Sequence, residues 1–193
     1  MKFLLAAVLS AFALSAFAAE QVHFLNSHLE RFSDQINCRI APNSAVKVQL
    51  NGTGLCVAGT GTTVGSQLTL QPCASALTVF NLPRGAPTTP TQLALNDTLS
   101  SGGTARCISA NGVATFGPLF LDNCQDDQFQ RWTVSIEDWT VEGVSGKGTI
   151  VNAGSGKGTD CLTAADNAEG SYILFDSCSG RTTQEWATTV VDN

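Results

Sequence analysis

Charged side chains are scarce in this sequence: Asp, Glu, Lys and Arg make up 13% of its 193 residues, about half the usual share. The ten basic residues are outnumbered by sixteen acidic ones, for a net charge of −6. Such a chain is a poor match for nucleic acid or an anionic membrane, because neither phosphate array is attracted to it. Histidine is nearly absent too. The only two, His23 and His28, lie outside the repeats described below, so no Ser/His/Asp triad fits among those repeats. No Cys-x-x-Cys pair or Cys/His cluster marks a metal site. No cofactor, no bound metal and no enzymatic activity is expected. Two Gly-Lys-Gly stretches, 146–148 and 156–158, lack the Ser or Thr that a phosphate loop places after its lysine. They are expected to be flexible turns around a strand at 149 to 152. Asp126 and Asp127 are loop neighbours, expected to be solvated rather than paired for acid/base work.

Long apolar runs are lacking, with one exception. Residues 3 to 17 form an apolar stretch behind Lys2, with the small residues Ala16 and Ala18 set for cleavage. The stretch is too short to span a bilayer. Residues 1–18 are expected to be a secretory signal peptide, which makes the mature chain extracellular with no membrane span. The remainder, about 175 residues, suits one domain with a buried core. Sequons at Asn51 and Asn96 are compatible with N-glycosylation in a eukaryotic host.

What is present is a threefold repeat. Six of the seven cysteines form three equally spaced pairs, residues 56 and 73, 107 and 124, and 161 and 178. In an exported chain such pairs are disulfides, each contributing on the order of 3 kcal/mol by restricting the unfolded chain. The expected bridges are Cys56 with Cys73, Cys107 with Cys124, and Cys161 with Cys178. Five and three residues before the second cysteine stand Leu68 and Leu70, Leu119 and Leu121, and Ile173 and Phe175. Alternation of this kind marks a strand with one face in the core. Six and eight residues after it come Gln130 and Trp132 in the second copy, and Gln184 and Trp186 in the third. The first copy has Thr78 and Phe80, one residue closer. A further apolar strand precedes each first cysteine, at 46 to 51, 93 to 96 and 149 to 152. About twelve short strands in three units must hide their edges in a closed or capped all-β architecture.

Residues 19–44 differ. Val22, Leu25, Leu29, Phe32 and Ile36 recur at helical spacing, so a short N-terminal helix or arm is expected before the domain at 45–193. It docks on the barrel, is a removable pro-segment, or binds a partner. Cys38, the odd seventh cysteine, is either a buried free thiol in a monomer or the link of a disulfide dimer.

In these repeats, Cys161-Leu162 through Cys178 to Gln184-Glu185-Trp186, and Cys107-Ile108 through Cys124 to Gln130-Arg131-Trp132, the chain resembles the ricin-B-type (Gln-x-Trp) lectins and related carbohydrate-binding modules. The resemblance covers about residues 44 to 191 and is most eroded in the first copy. It implies an all-β β-trefoil of three pseudo-symmetric repeats, with up to three shallow sugar sites and no catalysis. Gln130, Trp132, Gln184, Trp186 and Phe80 then have structural roles: the rings fill the core, and the amides tie the turn to backbone groups.

The family's usual sugar contacts are an aspartate two residues after the first cysteine, an aromatic two before the second, and an amide just ahead of Gln-x-Trp. Here the first place holds Ala58, Ser109 and Thr163. The second holds Gln71, Asp122 and Asp176. Phe129 and Thr183 stand at the third in the two clear copies. A replacement set is available. Phe120 and Asp122 alternate with core residues and should project outward together, as should Leu174 and Asp176, with Asp166, Asn167 and Tyr172 in or beside the preceding loop. A glycan is therefore expected at Asp122 or Asp176, supported by Phe120 or Tyr172. The alternative is that these are solvated strand and turn residues. The functional expectation is a secreted carbohydrate-binding protein; the alternative is a secreted trefoil that binds a protein partner, such as a protease inhibitor or effector.

Overall fold

The computed structural model describes residues 39–99, 103–136, 138–139, 145–154 and 159–191. The expected signal peptide, the helical spacing at 22 to 36, Cys38 and the 156–158 stretch lie outside them. Alternating apolar residues build four strands per repeat. The first repeat has β1 (Ser44–Leu50), β2 (Leu55–Gly59), β3 (Leu68–Pro72) and β4 (Val79–Leu82). The second has β5 (Ala94–Leu95), β6 (Arg106–Ser109), a short edge strand β7 (Gly117–Pro118), β8 (Phe120–Asn123) and β9 (Trp132–Val134). A hairpin of β10 (Asp138–Trp139) and β11 (Ser145–Gly148) leads to the third, with β12 (Ile150–Asn152), β13 (Asp160–Ala164), β14 (Ile173–Ser177) and β15 (Trp186–Val190). One helical turn, α1 (Asn96–Leu99), interrupts this pattern.

A barrel closes because the first strand of each repeat pairs twice. On one side it, or the segment leading straight into it, meets its own repeat's fourth strand, at Val46 with Phe80, Thr91 ahead of β5 with Trp132, and Gly148 at the end of β11 with Trp186. Four residues later it meets the fourth strand of the preceding repeat, at Leu50 with Trp186, Leu95 with Phe80, and Asn152 with Trp132. Three aromatic residues therefore each join two first strands, and six strands return on themselves with no free edge. This is the expected β-trefoil.

The second and third strands of each repeat form a hairpin, bridged by the three expected disulfides with Cα separations of 4.8, 4.9 and 5.1 Å. The three hairpins cap the barrel by pairing with one another, Gln67 with Phe120, Pro118 with Leu174, and Tyr172 with Thr69. The six alternating residues named above point into the core; Phe175 at 6% is the most exposed of them.

Trp132 and Trp186 are buried beneath their hairpins. Their indole N–H groups donate to the Ile108 and Leu162 carbonyls at 3.1 and 2.9 Å. The amide two residues earlier brackets the second half-cystine. Gln130 donates to Asn123 O and accepts from Gln125 N, at 2.8 and 2.7 Å. Gln184 donates to Ser177 O and accepts from Ser179 N, both at 2.8 Å. In the first repeat the shorter loop uses Thr78, whose hydroxyl donates to Ser75 O at 2.9 Å, and fully buried Phe80 fills the core without a polar tie.

One expectation is corrected. The Gly146-Lys147-Gly148 stretch is strand β11, not a turn; a Cβ on Gly148 would stand 2.1 Å from Ser135 O, so the glycine serves close backbone approach. The compact unit that holds the repeats begins at Arg39. Ile40 is buried and exchanges backbone hydrogen bonds with Ala86 at 3.0 and 3.1 Å.

The bracket yields a prediction. Gln130→Ala leaves Asn123 O and Gln125 N without their partner and should destabilise the fold by about 1–3 kcal/mol. Urea unfolding measures this directly; an unchanged midpoint would show that the bracket is dispensable.

Candidate functional site

The outward face of the second-repeat hairpin is built by β6 and β8. Register places Cys107 opposite Asp122 and Ser109 opposite Phe120, and side chains opposite each other in an antiparallel pair share a face. Cys107 and Ser109 are fully buried, whereas Phe120 and Asp122 are half-buried. Asp122 Oδ1 accepts from the Asn123 backbone N–H at 2.7 Å. Asp127 caps the turn at Gln128–Gln130 by accepting from Phe129 N and Gln130 N at 2.7 and 3.1 Å. That turn lays Phe129 beside the end of β6, where its carbonyl accepts from Ala110 N at 3.1 Å. Phe120 also lines a groove of about 490 Å³ between this hairpin and the first, together with Gly65, Gln67, Val113 and Pro118.

The third repeat differs at the same place. Asp176, expected to stand open to a ligand, is 2% exposed. Its carboxylate holds an ion pair with Arg181 and accepts from Ser177 N at 2.7 Å. Arg181 follows the second cysteine by three residues and folds back over the strand; this cover is the physical reason for the correction. Thr163 is buried and accepts from Gln184 Nε2 at 2.9 Å. A smaller hollow of about 240 Å³ lies beside this turn, with Lys147, Arg181 and Glu185 in its wall.

The loop residues of the candidate set stand apart from Asp176. Asp166, Asn167 and Tyr172 lie exposed at the tip of the third hairpin. Tyr172 and Asp176 are four residues apart on the strand, about 13 Å. Asp166 serves the loop itself, accepting from Ala168 N at 2.7 Å and from the Ser171 hydroxyl. The Ser171 hydroxyl, then the Ala168 N–H, hold its carboxyl below the usual aspartate range. Asp126 is likewise lowered by its hydrogen bond to Arg131, and it also pairs with Arg84 at 2.8 Å. Asp126 thus joins the first and second repeats while staying exposed to solvent, and Asp127 caps a turn.

The sequons occupy tight turns. Asn51 donates to Glu185 Oε2 at 2.8 Å, and Thr98 of the second sequon is buried, donating to Leu95 O at 2.7 Å. Among the described residues, no three His, Cys, Asp or Glu side chains gather as a metal site, and no helix is long and apolar enough to cross a membrane. The sequence reading missed Arg181; a basic residue three positions past the second cysteine was its only signal.

No protein-family model matches the chain, and no curated protein matches it in sequence. Solved structures resemble it in fold. The designed threefold-symmetric protein ThreeFoil aligns with TM-score 0.59 at 14% identity, over 76% of this chain and 99% of that one. The C-half of the earthworm R-type lectin, solved with GalNAc, aligns with TM-score 0.52 at 14% identity, over 77% and 99%. A mosquitocidal holotoxin aligns with TM-score 0.62 at 14% identity over 78% of this chain, which spans only 17% of that toxin. These likenesses establish the β-trefoil fold that such lectins and toxins share.

The lowered Asp166 gives a pH prediction. A depressed folded pKa stabilises the loop above the unfolded value and loses that effect as pH falls through the folded value. Protection of the amides at 166–171, taken relative to their intrinsic exchange rates, should therefore fall below about pH 4, and the Asp166→Asn variant should lose this pH dependence. Acid-independent protection in the native chain would contradict it.

Proposed function

We propose that this chain is a secreted, non-catalytic glycan-binding protein that holds a sugar on the outward face of its second-repeat hairpin. One observation carries the reading: Phe120 and Asp122 are two residues apart on one strand, both half-buried, and Phe120 lines a groove. A sugar site needs a flat apolar surface for the C–H side of the ring and an acceptor for its hydroxyls. Phe120 supplies the first and Asp122 the second, since among the described residues Asp122 Oδ1 engages only a backbone N–H of its own strand. The third repeat is the weaker place for this arrangement, because Arg181 already occupies Asp176. Three disulfides suit an oxidising, extracellular setting. A monomer or a Cys38-linked dimer would both serve, the dimer by multiplying weak sites.

A second reading, binding to a protein partner, is favoured by Val64 and Tyr172, each about half exposed at hairpin tips. Exposed aromatic and aliphatic anchors of this kind suit a protein interface.

A glycan screen beside a protease panel separates the two. The mature protein should retain glycans, and Asp122→Ala should weaken that site about tenfold, a loss of roughly 1.4 kcal/mol. Unchanged binding removes the placement. No glycan signal together with tight protease inhibition overturns the glycan reading.

A further inference from the structure

Each hairpin ends in the same four-residue turn, closed by Ser66 N to Thr63 O, Gly117 N to Ala114 O, and Ser171 N to Ala168 O at 3.2, 2.8 and 3.2 Å. The third residue of each turn has positive φ: 85° at Gly65, 66° at Phe116 and 84° at Gly170. Glycine suits that conformation, whereas a side chain there strains the backbone. Phe116 is nevertheless kept, and it is 67% exposed. Burial does not explain it. At Gly65 and Gly170 an added Cβ meets nothing within 4 Å, so these turn positions face open space.

A second observation lies across the strand pair. Gly117 and Pro118 pair with Phe175 and Leu174, and Phe116 N–H donates to Phe175 O at 2.7 Å. That hydrogen bond sets the Phe116 backbone against the Phe175–Asp176 peptide. Asp176 holds the Arg181 guanidinium, whose side chain is 51% exposed, and Arg181 Nε donates to Ser179 Oγ at 2.7 Å. Two partners thus fix the guanidinium plane, while Nη1 makes no hydrogen bond among the described residues. Gly65 and Gly170 donate in the equivalent way to Leu121 O and Leu70 O, so the other two turns carry no ring at this position.

We propose that Phe116 of the second repeat and Arg181 of the third form a further glycan seat across their boundary, for a terminal hexopyranose. The C–H face of the sugar lies on the Phe116 ring, and its hydroxyl oxygens accept from the Arg181 guanidinium. Asp176 positions Arg181 and does not touch the sugar. This seat rests on the glycan reading above, and lies at a different repeat boundary from the Phe120 groove.

Calorimetric titration with an oligosaccharide retained in the screen, on native protein, Phe116→Gly, Phe116→Trp and Phe120→Ala, tests it, alongside thermal midpoints. Native protein should take two sugars per chain. Phe116→Gly should take one, with a midpoint equal to or above native because the turn strain is gone, and Phe116→Trp should restore the second. Unchanged stoichiometry in Phe116→Gly, or a lowered midpoint that marks Phe116 as a packing residue, overturns the proposal while leaving the Phe120 site standing. If native protein retains no glycan at all, the glycan reading and this seat fall together.

Discussion

Everything in this fold hangs on the aromatic residue in the first two positions of each fourth strand. Phe80, Trp132 and Trp186 each pair with the first strands of two repeats, so each ring sits where barrel closure is decided. In the second and third copies the same residue reaches its hairpin through the indole N–H, and the glutamine two residues earlier brackets the second half-cystine. Barrel, hairpin and disulfide are thereby coupled through one short segment. Truncating such a buried ring costs about 3–5 kcal/mol, a large share of a domain's total stability. The first copy keeps the ring and drops both polar ties. It can do so because Thr78 closes the shorter loop locally, onto Ser75 O.

The scaffold was legible in the sequence because its determinants repeat. Equal cysteine spacing, alternating core residues and the aromatic anchor each recur in step, and core burial depends on apolar character alone. The surface was less legible, for identifiable reasons. Asp176 reads as an outward strand residue, but its solvent is displaced by Arg181 arriving from a later turn, a tertiary contact with no local signature. Gly146 and Gly148 read as a turn because glycine is common there; the actual demand at Gly148 comes from the Ser135 backbone crossing close by. Phe116 stands out only when the three copies are aligned on the second cysteine, which sets it against Gly65 and Gly170.

Symmetry in this molecule is a property of the interior. Backbone pairings at the hairpin cap follow the threefold rule residue for residue, and the groups they expose do not. One repeat presents a carboxylate beside an aromatic ring, another buries its carboxylate under an arginine, and the first carries an amide, Gln71, that donates to its neighbour Thr69 Oγ1 at 3.3 Å. A closed barrel tolerates this divergence because outward side chains of the hairpins contribute little to closure. Recognition can thus change one repeat at a time while the fold persists.

The central functional claim, that a sugar is held on the outward face of the second-repeat hairpin, is tested most directly by titrating isotope-labelled protein with an oligosaccharide and following backbone amide shifts. The account predicts saturable shifts at 109 and at 120 to 123, with a second group at 116 and 117 and at 174 to 181. Shifts confined to the barrel end remote from the hairpins, or none with any glycan, would contradict it.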